Sequence, residues 1–161
     1  MYISNNFLYR SHLFLMAKLS VYSGHENLEV LSATHRFNNW IYEQMRPGLK
    51  GDILELGSGI GTFSEKIISN LSSNSSITLT DISQNYVKRL EERFLLIDNK
   101  NNHNTKSNSD RTYGKNISIC KLDLNSKADY ERIGYEKFDS VIAINVLEHI
   151  QDDEFAFQQL Y

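Results

Sequence analysis

Apolar and polar positions change rhythm several times along the 161-residue chain, and the changes mark out its elements. Ile53, Leu54 and Leu56 make a short, nearly continuous apolar run, the pattern of a strand packed on both faces. Phe63, Ile67 and Leu71 then recur every four residues, which predicts a helix with one apolar stripe. Thr62 followed by Glu65 fits a capping box at its start. Ile77–Thr80 predicts a second strand ending in Asp81. Ser83–Ile97 predicts an amphipathic helix striped by Tyr86, Val87, Leu90 and Phe94. Asn116–Leu122 mixes polar with apolar residues, as an edge strand does. Lys127–Ile133 reads as a helix stopped by Gly134. Phe138–Ile144 is a fourth strand, the most continuously apolar after the first. Asp152 caps a last helix that buries Phe155 and Leu160 and runs to Tyr161. Strands alternating with helices predict an α/β fold with a doubly wound, mostly parallel sheet.

Ahead of the first strand, Leu28, Leu31, Phe37, Trp40, Ile41 and Met45 give an uneven apolar face, so a leading helix is expected over 28–46. Pro47-Gly48 stops it. Ser72-Ser73-Asn74-Ser75-Ser76 is a flexible turn. Asp98–Asp110 is a polar, low-complexity run that buries nothing and reads as a long loop. His103 lies alone in it and takes no functional assignment. Leu13–Ala17 is apolar, but Arg10 and His12 precede it and Lys18 ends it, too short for a signal-peptide core. Residues 1–20 are therefore set apart as an N-terminal extension, with Met16 as the expected true start, and 21–161 as the domain.

Composition narrows the classes. A hydrophobic fraction of 40% supports one core but no membrane protein, and no run nears the roughly 18 apolar residues of a span. Cytoplasmic location is the default expectation. The net charge of −3 supplies no basic field to draw nucleic acid. A single cysteine, Cys120, excludes an internal disulfide and a cysteine-rich metal site, and its strand context predicts a buried, inert thiol. No metal is called for.

The candidate chemistry sits after the first strand. Gly57, Gly59 and Gly61 make a turn without Cβ atoms, where the backbone can take positive φ and a ligand can approach closely. A strand passing through such a turn into a helix is how doubly wound folds hold nucleotides. Asp81 follows the turn at the interval of a carboxylate that accepts hydrogen bonds from ribose hydroxyls, and a diol needs such a paired acceptor. The other reading of Asp81 is a helix N-cap, a task open to Ser83. Arg36 has the reach for a bidentate contact with a ligand carboxylate, against the alternative of a solvated arginine.

Glu55-Leu56-Gly57-Ser58-Gly59-Ile60-Gly61 has its third glycine one residue early for a dinucleotide fingerprint. With the acidic residue two positions before the first glycine, it resembles the first motif of class I S-adenosylmethionine-dependent methyltransferases. Asp81-Ile82-Ser83, Asp123-Leu124 and Asn145-Val146-Leu147-Glu148-His149 are similar to the later signatures of that family and follow in its order. The resemblance implies that the glycine turn, with Glu55, Gly57, Ser58, Gly59 and Gly61, holds the methionine part of S-adenosylmethionine. It implies that Asp81 and Ile82 hold the ribose side and that Asp123 and Leu124 receive the adenine amine and ring, with a turn aspartate as the other reading of Asp123. Asn145 would contact the amino acid end. His149 is a weak candidate for a general base, with a structural histidine at a helix start as the alternative. It implies a Rossmann-like sheet with about four strands in the order 3-2-1-4, incomplete at its C-terminal side.

That incompleteness leaves the fourth strand as a bare edge open to self-association. The chain then reads as the first part of a longer domain acting on a small-molecule or other unidentified acceptor. Two alternatives stand beside this reading. One is a nicotinamide dinucleotide-binding oxidoreductase fragment; the other is a non-catalytic cofactor-binding module.

Overall fold

A computed structural model describes residues 34–94 and 116–160 and the backbone of 13–17. Five strands are seen: β1 (Leu13–Ala17), β2 (Asp52–Leu56), β3 (Ser76–Asp81), β4 (Ile117–Lys121) and β5 (Ser140–Ile144). They pair in parallel in the order β1-β5-β2-β3-β4. The four strands read from the sequence thus take the expected 3-2-1-4 order, with β4 at one edge.

The other edge differs from expectation. Leu13–Ala17 pairs along the whole of β5, with Leu15 opposite Ile142, so the expected bare edge of the fourth strand is covered. The segment set apart as an extension therefore contributes a strand. An apolar five-residue run and an apolar strand edge satisfy each other's backbone groups.

Helices lie on both faces. α1 (His35–Met45), α2 (Thr62–Ser69) and α3 (Gln84–Phe94) cover one; α4 (Lys127–Ile133) and α5 (Asp153–Gln159) cover the other. Side-chain alternation along the strands divides the core accordingly. Ile53, Ile77, Leu79 and Ile142 pack with Tyr42, Met45, Ile67, Leu90 and Phe94. Leu54, Leu56, Val141 and Ala143 pack with Tyr130, Ile133 and Ala156. Leu54 is 1% exposed, and emptying such a site costs about 2–5 kcal/mol.

The ends of elements follow local chemistry. Arg46–Gly48 tightens into a 3-10 turn around Pro47 and closes α1. Ser126 caps α4, its hydroxyl accepting from the Asp129 amide at 3.3 Å, and Gly134 ends it at φ 91°. Asp152 caps α5 as expected, accepting from the Phe155 amide at 2.8 Å. The helical stretches expected at 28–34 and 95–97 and the loop at 98–110 fall wholly or mostly outside the described residues.

One fixed point aligns β2 with β5. The Ser140 hydroxyl, fully buried, donates to the Lys50 carbonyl at 3.0 Å and accepts from the Lys50 amide at 3.1 Å. Asp139 accepts from the Asp52 amide at 2.9 Å, and a Cβ on Gly51 would lie 1.9 Å from the same carboxylate oxygen. These contacts put Ile53 opposite Ser140 and carry β2 and β5 to a common C-terminal end.

Candidate functional site

The glycine turn leaves β2 at that common end. Gly57, Gly59 and Gly61 have φ of 62°, 55° and 81°, the left-handed region that favours glycine. A Cβ on Gly57 would stand 2.4 Å from a Val146 methyl, and one on Gly61 would stand 2.7 Å from the Phe94 ring. The turn is thus pressed between the segment after β5 and the side chains of α3. Gly61 is also the N-cap of α2, with no side-chain cap bond. The expected Thr62–Glu65 capping box is corrected on this point, because a left-handed glycine takes the cap position and Thr62 is already the first helical residue.

Ser58 locks the turn to β3. Its amide donates to the Thr80 carbonyl at 2.7 Å, and its buried hydroxyl accepts from the Thr80 amide at 3.2 Å. Asp81, at the end of β3 and 7% exposed, meets the turn directly. One carboxylate oxygen accepts from the Gly59 amide at 2.9 Å, the other from the Ser83 amide at 2.8 Å. Each oxygen keeps a second lone pair for a further donor. The carboxylate thus bridges the glycine turn and the residue just before α3, which begins at Gln84. Beside it Ile82 is 57% exposed, an apolar side chain open at the strand ends.

Glu55 lies beneath the turn, 4% exposed, and accepts from the Ser64 hydroxyl of α2 at 2.6 Å. Burial pushes its carboxyl up to about 7, against the pull of hydrogen bonds from Ser64 and Ser58. Asn145, just past β5, holds φ 55°, strained for a non-glycine residue. Its side-chain oxygen is buried without a hydrogen-bond partner. An orphaned buried acceptor costs about 1–3 kcal/mol, which a donor arriving there would relieve.

The remaining sequence candidates are placed less centrally. One Asp123 oxygen is engaged by the Asn125 amide at 2.9 Å, and Leu124 is turned into the core at 8% exposure. Backbone contact from the Leu122 amide to the Asp81 carbonyl, 3.0 Å, still brings this segment beside the end of β3. Arg36 is exposed on the first turn of α1, and among the described residues no hydrogen bond joins it to the glycine turn. His149 is exposed in a short 3-10 turn, Leu147–His149, with its amide on the Val146 carbonyl. Cys120 is half-buried, its thiol pushed up mainly by burial.

Two contacts at the turn had no sequence signal. Val146 fills the space left by Gly57, and Arg93 reaches from the end of α3 to the Ile60 carbonyl at 2.6 Å. Among the described residues no cluster of three His, Cys, Asp or Glu side chains is arranged to hold a metal, and no helix is long and apolar enough to cross a membrane.

Comparison with solved structures finds the same fold. The N-terminal domain of EvdMO1 with SAH bound superposes with a TM-score of 0.54 at 19% identity, covering 78% of this chain and 43% of that one. The methyltransferase domain of bacterial CtHen1 gives 0.54 at 19%, covering 79% and 58%. The CurJ carbon methyltransferase gives 0.53 at 19%, covering 69% and 26%. The chain thus spans between about a quarter and three fifths of the length of these structures. No curated protein sequence matches it. The family described as "Methyltransferase domain" matches residues 54–161, from the middle of β2 through the C-terminal ends of β3, β4 and β5, and the chain belongs to that family.

Proposed function

We propose that the domain binds S-adenosylmethionine across the C-terminal ends of β2, β3 and β5 and transfers its methyl group to an acceptor. The observation that carries this reading is the meeting of Asp81 with the Gly59 amide at 2.9 Å. It puts a carboxylate with free lone pairs beside a Cβ-free turn, the two features a nucleoside with a charged tail needs. The orphaned Asn145 oxygen fits the same group, since the amino acid end of the cofactor brings an ammonium donor.

Each residue then has a task. Asp81 accepts from the ribose hydroxyls with the lone pairs that Gly59 and Ser83 leave free. Ile82, exposed beside it, offers an apolar face to the adenine. Asp123 receives the adenine amine through the oxygen that the Asn125 amide does not hold. Leu124 backs this wall from the core. Asn145 accepts from the ammonium, Gly57 and Gly59 admit the methionine part, and Ser58 and Glu55 hold the turn from beneath. Bound S-adenosylmethionine supplies a methyl group already activated on a sulfonium, so the chain's residues need chiefly to position it and exclude water. Arg36 and His149 stay outside this assignment.

Calorimetric titration tests the proposal. The wild-type chain should bind S-adenosylhomocysteine, and Asp81→Ala should weaken binding about tenfold to a hundredfold through loss of charge-assisted bonds. Equal affinity of the variant removes Asp81 from the site. Binding of a nicotinamide dinucleotide in place of S-adenosylhomocysteine overturns the reading.

A further inference from the structure

We infer that Arg93 is a positioning residue for the cofactor turn, holding the peptide between Ile60 and Gly61 in one orientation. The inference rests on the proposed function for the ligand, but its geometry stands by itself. Nη1 of Arg93 donates to the Ile60 carbonyl at 2.6 Å, and Nη2 reaches Glu65 in the first turn of α2 at 2.6 Å. The planar fork of a guanidinium can grip two acceptors at once, which a lysine ammonium does less well. Its carbon lies 5.2 Å from the centre of the Phe94 ring, and that ring fills the space where a Gly61 Cβ would go.

The other end of the same peptide is also held, with the Gly61 amide donating to the Ser58 carbonyl at 2.9 Å. Ile60 is flanked by Gly59 at φ 55° and Gly61 at φ 81°. Glycines accept either sign of φ, so a Gly-Ile-Gly peptide can turn over at little steric cost. Flipping would take the Gly61 amide away from Ser58 and change the surface the turn shows to a ligand. Arg93 blocks that flip from the last turn of α3, 33 residues along the chain. The Arg93–Glu65 pair is 38% and 49% exposed, so as an ion pair it contributes little; the bond to the Ile60 carbonyl is the functional contact.

The test combines amide exchange by nuclear magnetic resonance on the free protein with S-adenosylhomocysteine titration. Arg93→Met should speed exchange at the Gly61 amide at least tenfold, leave core amides of β3 and β5 near wild type, and weaken binding about fivefold to twentyfold. Arg93→Lys should restore part of both. Gly61 exchange that stays at the wild-type rate, or that rises only together with all core amides, overturns the inference. If Arg93→Met does not fold, Arg93→Lys decides alone, and Gly61 exchange faster than wild type supports the clasp while an unchanged rate refutes it. A wild-type protein that binds no S-adenosylhomocysteine sinks the proposed function, while the exchange comparison still decides whether Arg93 holds the peptide.

Discussion

Glu55 is a carboxyl enclosed beneath a turn that must stay in place, and its environment gives it a pH dependence. It ionises near 4.5 in an unfolded chain and near 7 when buried here. Between those values the folded protein keeps a proton that the unfolded chain has released. Stability from this group is therefore full below about pH 4.5 and falls as pH rises through about 7, by at most about 3 kcal/mol. Glu55→Gln keeps the shape and a partner for Ser64 without the titration. Its thermal midpoint should gain on the wild type as pH is raised from 5 to 8; a difference that stays constant or shrinks contradicts the assignment. At the same scale, Asp81 was legible because acid type and interval suffice to place it at a strand end. The Asn145 strain and its orphaned oxygen were not, since neither a backbone angle nor the lack of a partner is written in residue type.

Among elements, the glycine turn shows what spacing conveys and what it hides. Spacing identified the turn, because three glycines between an apolar strand and an apolar helical stripe have few other uses. It did not show that Gly57 makes room for Val146, nor that Arg93 reaches Ile60, since both pairs are distant along the chain. It misread the start of α2, where a left-handed glycine displaced the capping box. Gly57→Ala should cost about 2 kcal/mol or more, combining a left-handed alanine with overpacking against Val146. Adding Val146→Ala should return only the packing part, as denaturant midpoints of the double-mutant cycle would show. Full recovery would mean that the backbone angle costs nothing, and no recovery that the Val146 contact is absent.

At the level of the whole molecule, the alternation of strand and helix periods showed the α/β class, while the 3-2-1-4 order was legible only through the family resemblance of the motifs. The partner of β5 did not. A run such as Leu13–Ala17 carries no mark of which edge it will join, and only the sheet as a whole shows β5 to be that edge. Removing residues 1–17 should uncover β5 and make the protein self-associate as concentration rises, read by sedimentation velocity; a chain that stays monomeric as before would show that β1 does not guard the edge. The central claim concerns the opposite direction, the C-terminal ends of the strands. The most direct measurement is the map of backbone amide shifts as S-adenosylhomocysteine is added. The account predicts that Gly59, Ile60, Ile82 and Asn145 move together while Ser73, in the turn before β3, and Asn116, just before β4, stay still. Shifts clustered at Ser73 and Asn116, or none at any concentration, would contradict it.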